Sequence, residues 1–373
     1  MSREARNGYT APVRVTQAEI ARKLGISLVT VSRALNGRGY VSEQMKRRIL
    51  DFAHQSRYVP HRASQVLVRN KMRRLAIFSS SLPTYFWDEI RKGIEVAGDH
   101  IRAFDFEVQY HCIPDFDTEA YLYCLRAELR AGLDALAIVN QPIYDMDAIF
   151  AVVQESGVPY VTFNVDAPGR RGLCYIGADY TAGARLAAEV IGTALRFRDE
   201  PVTLVIADNR ITRVDPSHVN LNADRLAGFQ DVVRARFPRM RCDVQYVETG
   251  LQADASNDQI VDLLNARKGR VNAVYLIPAI NPAFLDALEK AEYRNTVNVV
   301  HDLDTSALHH LDTHLLTAVI HQNPILQGYL TVKILEHVVE SGNREPMQDV
   351  EIASNVVFAE NKQVTRNYFD FIG

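Results

Sequence analysis

From Leu75 onward, short apolar runs alternate with longer amphipathic stretches. This alternation predicts parallel β-sheets covered by helices on both faces, because parallel strands need long crossover connections and helices supply them. Roughly 300 residues follow the pattern, which favours two doubly wound lobes over one. Strands are predicted at 75–79, 106–112, 135–139, 159–163, 202–207, 273–277, 297–301 and 317–321. The clearest helices are predicted at 87–97, 181–194 and 225–237.

Charge is divided unevenly along the chain. Residues 1–74 hold 16 Lys and Arg against 4 Asp and Glu, whereas the remaining residues hold 26 against 41. A basic N-terminal segment joined to an acidic body indicates a polyanionic partner for that segment alone. Nucleic acid is the first candidate, and a merely solvated basic segment is the alternative.

The N-terminal segment has a helical pattern between about residues 16 and 58. Three short helices are predicted, at 17–24, 28–35 and 43–55. Each is preceded by a residue suited to cap its N-terminus: Thr16, Ser27 and Ser42. Gly25 lies where a tight turn must separate the first two helices, and Ala21 is small enough for a close crossing. This arrangement predicts a helix-turn-helix whose second helix enters the DNA major groove.

A specific set of residues in this segment matches a known pattern: Val15-Thr16, Ile20-Ala21, Gly25-Ile26-Ser27, Thr30-Val31-Ser32-Arg33, Leu35-Asn36-Gly37, Val41-Ser42 and Tyr58-Val59-Pro60. On these residues the chain resembles the lactose-repressor (LacI/GalR) family of transcriptional regulators. One departure is Leu24, where the family usually has a small residue. The resemblance implies a regulator that binds operator DNA through this segment.

The resemblance also implies a role for individual positions. Leu28, Val29 and Arg33 would face the bases, and Arg33 could pair with a guanine. Contacts to phosphates are implied for a set of small polar residues: Ser27, Thr30, Ser32, Asn36 and Ser42. Further DNA contacts are implied for Thr16, Tyr58, His61 and Ser64. Helix capping is an alternative role for the small polar residues, and the two roles are compatible.

The basic stretch after Pro60 matches the hinge helix of the family over residues 62–67. Two such helices in a dimer are expected to enter the minor groove. Leu67 falls at the position whose leucine wedges into the central base step and kinks the duplex. Without the resemblance, Leu67 would look like an ordinary apolar linker residue.

The body resembles, more loosely, the periplasmic-sugar-binding fold that the family joins to its DNA-binding segment. Sugars are held by aromatic faces and by planar polar side chains placed where strands end. The matching positions imply an effector site formed by Phe86, Trp87, Asn140, Asn164, Arg225, Asn281, Asp302 and Gln322.

Several departures from the family pattern bear on the effector. An Asn-Pro-aromatic-aromatic sequence appears here as Thr84-Tyr85-Phe86-Trp87, and an Asn-Asp pair appears as Ile280-Asn281. The segment 208–224 is long and could reshape the rim of the pocket. A sugar, a polyol or a sugar acid would suit the polar set, and Arg225 alone does not distinguish them.

The expected domain boundaries follow from these patterns. They are a flexible tail at 1–13, a helix-turn-helix domain at 14–60, a hinge at 61–73 and an effector-binding and dimerisation domain at 74–373. Within the last domain, the first lobe is expected at about 74–178 and 303–333, and the second at about 179–302 and 334–373.

Other classes of protein are disfavoured by the sequence. No apolar run is long enough for a membrane span, no secretory signal is evident, and the four cysteines lack metal-site spacing. No nucleophile-elbow, phosphate-loop or zinc-protease motif is found, so neither catalysis, nor a cofactor, nor a metal is expected. The cluster His309, His310, Asp312 and His314 is interpreted as an exposed polar segment.

The sequence therefore predicts a cytoplasmic, homodimeric regulator, by default a repressor. It would bind a near-palindromic double-stranded operator under the control of a small carbohydrate-like effector, and no leucine heptads that would indicate a tetramer are seen at the C-terminus. A sugar-binding protein without a regulatory role is the alternative.

Overall fold

The computed structural model describes residues 15–36, 40–56, 72–208, 220–247, 256–279 and 282–363. The chain divides into two compact units between Lys71 and Met72. Each unit is considered separately below.

In its described residues, the N-terminal unit has three helices: α1 (Gln17–Leu24), α2 (Leu28–Asn36) and α3 (Glu43–Gln55). All three confirm the predicted positions, because the capping signals are specific. The Thr16 hydroxyl accepts from the amide of Glu19 at 3.2 Å, and the Glu19 carboxylate accepts from the Thr16 amide at 2.8 Å, a complete capping box. Gly25 ends α1 at φ +66°, a conformation that favours glycine.

A small apolar core holds these helices together. Its fully or largely buried members are Ile20, Ala21, Val31, Ala34, Ile49 and Ala53. Every helix contributes to this core, so no helix of the unit buries its apolar face without the others.

The C-terminal unit contains two parallel-sheet lobes, as predicted. The first sheet has six strands in the spatial order β11-β5-β4-β3-β1-β2. In chain order these are β1 (Arg73–Ser80), β2 (Phe106–Ile113), β3 (Ala135–Ile138), β4 (Tyr160–Phe163), β5 (Tyr175–Ala178) and β11 (Val350–Ile352). The helices that pack on it are α4 (Thr84–Arg102), α5 (Thr118–Ala131), α6 (Met146–Ser156) and α12 (Pro324–Ser341).

The second sheet repeats the same spatial order, β12-β10-β9-β8-β6-β7. Its strands are β6 (Val202–Asp208), β7 (Arg241–Val247), β8 (Ala273–Ala279), β9 (Val297–His301), β10 (Ala318–His321) and β12 (Asn355–Val357). Its helices are α7 (Tyr180–Leu195), α8 (Leu221–Arg236), α9 (Ser256–Arg267), α10 (Pro282–Lys290) and α11 (Thr305–Asp312). The last strands differ: β11 runs parallel to β5, whereas β12 runs antiparallel to β10.

The chain crosses between the lobes three times, and this corrects the predicted lobe ranges. The crossings lie between β5 and α7, between β10 and α12, and between β11 and β12. Residues 318–321 therefore belong to the second sheet, not the first. Residues 334–341 and 350–352 belong with the first lobe, not the second. The hydrogen-bonding partners of a strand decide its sheet, and sequence neighbourhood does not reveal them.

Helices α4 and α12 cross unusually closely. A Cβ atom added to Gly93 of α4 would overlap the carbonyl oxygen of Ile325, and one added to Gly328 of α12 would overlap that of Ile90. The two glycines thus allow backbone-to-backbone contact, which fixes α12 on the first lobe directly after the second crossing.

Three observations complete the description. Among the described residues, no helix combines the length and apolar character needed to cross a membrane. In the same ranges, His, Cys, Asp and Glu side chains form no group of three suited to a metal ion. His310 is buried in α11, so the segment around it is only partly exposed, contrary to the interpretation from sequence.

Candidate functional site

The exposed face of α2 is the first candidate site. Leu28 and Val29 expose 50% and 57% of their surface, and Arg33 is also exposed, while Val31 and Ala34 are buried in the core. Exposed apolar side chains on a three-helix unit this small are not required by its own packing. The structure thus brings Leu28, Val29 and Arg33 together on one accessible helix face.

The small polar residues of this unit lie at helix N-termini. The Ser27 hydroxyl lies 2.8 Å from that of Thr30 and accepts from the Thr30 amide at 3.1 Å. The Ser42 hydroxyl accepts from the Met45 amide at 3.4 Å, and Thr16 caps α1. Capping is therefore present at these positions, and a hydroxyl whose oxygen accepts from a backbone amide can still donate its proton to a phosphate oxygen.

Some of the remaining predicted DNA contacts are only partly described. Ser32 is half-buried on α2, and Asn36 ends that helix. Tyr58, His61, Ser64 and Leu67 lie outside the described residues, as does Asn281 of the predicted effector site.

The second candidate site lies where strands of the two sheets end. Asn164 follows β4 and Asp302 follows β9, which occupy the same place in the two sheet orders. Both residues adopt positive φ, +60° and +69°. Their backbone amides donate equivalently, Asn164 to the carbonyl of Ile176 at 2.8 Å and Asp302 to that of Ile320 at 3.0 Å. The carboxyl ends of the strands in doubly wound sheets are the usual place for a ligand.

Three buried polar residues of the second lobe cluster there. The amide of Gln322 donates to the Asp302 carboxylate at 2.5 Å. The Arg225 guanidinium donates to the carbonyl of Ile277 at 2.7 Å and lies 5.3 Å from the centre of the Tyr180 ring. Burial raises the pKa of Asp302, although Arg225 and the bond from Gln322 act in the opposite direction.

Two buried atoms of this cluster have no hydrogen-bond partner among the residues that the structure describes: Nε of Arg225 and Oε1 of Gln322. Buried polar atoms are almost always satisfied in folded proteins. One is a donor and the other an acceptor, which matches the hydroxyl group of a polyol or sugar, since a hydroxyl both donates and accepts.

On the side of the first lobe, the predicted amides are also engaged. The Asn140 amide donates to the carbonyl of Asp166 at 2.7 Å. The side-chain amide of Asn164 donates to Oε1 of Gln327 at 3.0 Å. The backbone carbonyl of Asn164 accepts from the Tyr180 hydroxyl of the second lobe at 2.6 Å. Asn164 therefore contacts both lobes.

The three aromatic residues at the start of α4 differ in their surroundings. Phe86 and Trp87 are both buried in the core of the first lobe, and the Trp87 indole donates to the carbonyl of Leu82 at 3.0 Å. Tyr85 instead packs against the cores of both lobes, and Asp302 and Asp304 contribute to raising its pKa, after burial. The aromatic between the lobes is thus the residue before the predicted pair, because rotating a helix by one residue turns a side chain by about 100°.

Sequence reasoning missed three residues of this region: Tyr85, Tyr180 and Gln327. Tyr85 is part of the sequence Thr84-Tyr85-Phe86-Trp87, which departs from the family pattern and so drew attention to this position. Tyr180 and Gln327 were missed because each lies in the first turns of a helix, whereas the search considered residues at strand ends.

Comparison with known proteins bears directly on both candidate sites. The family model "Bacterial regulatory proteins, lacI family" matches residues 16–61, and the model "Periplasmic binding protein domain" matches residues 75–344. The chain belongs to the LacI/GalR family. This LacI/GalR chain accordingly combines the family's helix-turn-helix segment with its two-lobed body.

Curated relatives are distant. A probable repressor named ExuR from Bacillus subtilis is 28% identical over 42% of this chain and 45% of its own length. The ribose operon repressor of B. subtilis is 23% identical over 63% and 64%, and the lactose operon repressor of Escherichia coli is 26% identical over 40% and 41%. The chain thus spans less than two thirds of the length of these LacI/GalR relatives.

Solved structures show the same fold for the body of this LacI/GalR chain. A putative LacI regulator from Bacteroides fragilis has a TM-score of 0.66 at 14% identity, covering 79% of this chain and 99% of that one. A solute-binding protein from Burkholderia graminis in complex with D-arabinose has a TM-score of 0.63 at 20% identity, covering 79% and 97%. At such identities the likeness extends to the fold alone.

Proposed function

We propose that this protein is a sequence-specific DNA-binding transcriptional regulator, by default a repressor, whose affinity for DNA is set by a small sugar, polyol or sugar acid. The observation that carries the proposal is the combination, in one chain, of an exposed recognition-type helix and a buried polar cluster in which two atoms have no partner among the described residues. The helix supplies a surface for DNA, and the cleft supplies a place for the effector. No catalytic role is proposed.

On the DNA side, α2 would enter the major groove with Leu28 and Val29 against thymine methyl groups and Arg33 on a guanine. Ser27, Thr30, Ser32, Asn36 and Ser42 would contact phosphates. Thr16, Tyr58, His61 and Ser64 would make further DNA contacts, and Leu67 would act as the wedge at the hinge. Two copies in a homodimer would bind a near-palindromic operator in the cytoplasm.

On the effector side, Asn140, Asn164, Arg225, Asn281, Asp302 and Gln322 remain the proposed polar contacts. Tyr85 replaces Trp87 as the proposed aromatic surface, and Phe86 supports it from the core. Buried amides, one carboxyl group and one guanidinium suit a ligand with several hydroxyl groups.

A mobility-shift experiment tests the proposal as a whole. The full chain is titrated onto the DNA upstream of its own gene, alone and with a panel of pentoses, hexoses, polyols and sugar acids. We expect specific binding to a near-palindromic site and a change in affinity with at least one panel member. Failure to bind any such site under all conditions would contradict the regulator proposal.

A sugar-binding protein without a regulatory role is the second candidate, because the neighbouring structures include solute-binding proteins that match the body over almost their whole length. The same experiment separates the two. Tight sugar binding measured by calorimetry, together with no DNA binding, would favour this second candidate.

Replacing Arg33 by alanine is expected to weaken specific DNA binding about 10- to 100-fold, because a bidentate arginine–guanine pair is worth about 1–3 kcal/mol. Binding to unrelated DNA should weaken far less. Competition mobility shifts with specific and random duplexes measure both. Arg33→Lys is the control: it keeps the charge but loses the planar fork, so full recovery by lysine would assign Arg33 to a phosphate rather than a base.

The class of effector is expected to show in the pH dependence of binding. The pKa of Asp302 is raised above its usual 3.8, mainly by burial, so its carboxylate becomes protonated at a higher pH than that of an exposed aspartate. A neutral sugar that donates a hydroxyl to Asp302 would bind more weakly as the pH falls. A sugar acid would bind more tightly, because protonation removes the repulsion between two carboxylates.

Calorimetric titrations between about pH 5 and 7 measure this dependence, and Asp302→Asn is the control that should remove it. Two buried imidazoles, His301 and His321, directly precede Asp302 and Gln322. The pKa of His321 is lowered to about 4 and that of His301 is also lowered, both mainly by burial, so both rings become protonated only at a lower pH than a free imidazole. Unchanged pH dependence in Asp302→Asn would exclude Asp302 from the effector contacts.

A further inference from the structure

The crossing from β10 to α12 contains a fully buried polar residue, Gln327, in the first turns of α12. Its side-chain amide makes two hydrogen bonds. Oε1 accepts from the amide of Asn164 at 3.0 Å, and Nε2 donates to the backbone carbonyl of Gln322 at 2.9 Å. One side chain thereby joins a strand end of the first lobe to the crossing segment itself.

The contacts continue into the second lobe. The Gln322 side chain donates to Asp302, which follows β9. These hydrogen bonds therefore form a connected series from Asn164 through Gln327 and Gln322 to Asp302. All four side chains are buried. Because the two end residues are the positive-φ residues at the equivalent strand ends, the bonds connect the two halves of the proposed effector site.

This geometry is costly unless all its bonds are made together. A buried amide that loses one partner leaves a desolvated donor or acceptor behind, which is unfavourable. A fully satisfied network of buried hydrogen bonds favours one arrangement of its side chains. When one member loses its bond, the other members are affected as well. Gln322 is the member with an unsatisfied buried atom, Oε1, and hence the member a ligand hydroxyl would engage first.

We propose that Gln327 is a positioning residue that transmits the state of Gln322 and Asp302 to Asn164, and so couples the second lobe to the first. Gln327 does not touch the effector in this scheme. It acts because its two hydrogen bonds hold the segment between β10 and α12 in a fixed position relative to Asn164, the residue that follows β4. The inference rests on the proposed effector-binding role of the cleft, and it specifies how occupancy of that cleft would be felt in the first lobe.

Hydrogen exchange tests the proposal on the full chain without effector or DNA. The reporters are the backbone amides of Asn164 and Asp302, each held by a bond to the neighbouring strand. In Gln327→Met, which keeps the size but removes both bonds, we expect exchange to accelerate about tenfold at both reporters. Thr331→Val is the matched control. Thr331 is equally buried on α12, and among the described residues its hydroxyl donates only to the Gln327 backbone carbonyl, at 2.7 Å.

A second pair of variants separates coupling from simple loosening of α12. Asp302→Asn should change exchange at the distant Asn164 amide in the wild-type background and cause no further change there in the Gln327→Met background. An equal effect of Asp302→Asn in both backgrounds, or acceleration confined to α12, would overturn the proposal. If Gln327→Met does not fold, Gln327→Glu takes its place, since it keeps the acceptor for Asn164 and loses the donor to Gln322.

The outcome is separable from that of the proposed function. A protein that binds no operator could still show the coupled exchange, and a working regulator could lack it. The mobility shifts and the exchange measurements therefore fail independently.

Discussion

Aspartate in place of Ile49 is expected to abolish specific DNA binding, with a loss of at least about 100-fold, while the body stays folded. Ile49 is fully buried in the six-residue core of the N-terminal unit. Burying an unpaired carboxylate there costs more than a unit of this size can spare, because small domains are only marginally stable. Circular dichroism measures the unfolding of the N-terminal unit. Mobility shifts of the full chain measure the loss of specific DNA binding.

The neighbouring residue offers a matched control. Leu50 lies on the same helix but is 42% exposed, so Leu50→Asp introduces the same charge without burying it. DNA binding by Leu50→Asp should stay within a few-fold of the wild type. A comparable loss in both variants would point to electrostatic repulsion of DNA by any negative charge on α3 rather than to unfolding.

Gly93→Ala is expected to destabilise the body by about 3 kcal/mol, at the upper end of the usual overpacking cost. The added methyl group meets the backbone of α12, which cannot rotate out of the way as a side chain could. Gly328→Ala should behave alike, because its methyl group meets the backbone of α4. Urea unfolding followed by Trp87 fluorescence is a suitable measurement, since Trp87 lies in the same core.

Gly98→Ala on the same helix is the control with the opposite sign. Its added Cβ would lie 3.5 Å from Cγ2 of Val108, an ordinary contact. Alanine is favoured over glycine in a helix interior by about 1 kcal/mol, so this variant should be slightly more stable than the wild type. If Gly93→Ala were stabilising too, the two helices would not be in backbone contact.

The sequence was most informative where local signals decide the structure. The three N-terminal helices were predicted within one residue because Thr16, Ser27 and Ser42 mark their starts and Gly25 marks an end. Eight of the strands were predicted from their apolar runs. The strands β5, β7, β11 and β12 were missed, since β7 is a mostly half-buried edge strand with a polar residue at every second position and the other three are only three or four residues long.

The candidate cleft was predictable in its polar residues and less so in its aromatic one. Asn140, Asn164, Asp302 and Gln322 follow strands that the sequence located, so their position at one edge followed directly. Which of Tyr85, Phe86 and Trp87 faces the gap between the lobes depends on the exact rotation of α4. That rotation is fixed by the glycine contact with α12, a residue pair more than 200 positions apart.

The three crossings between the lobes have a consequence for how the body could be divided. Neither lobe is a continuous piece of chain, because each takes its outermost strand from the segment after residue 349. Removing the C-terminal segment from residue 350 onward would therefore take an edge strand from both sheets, and neither lobe would remain complete. Neither lobe can therefore be produced alone by truncating the chain. A sensor engineered from this protein must keep the whole body, or must be circularly permuted at a surface loop within a lobe.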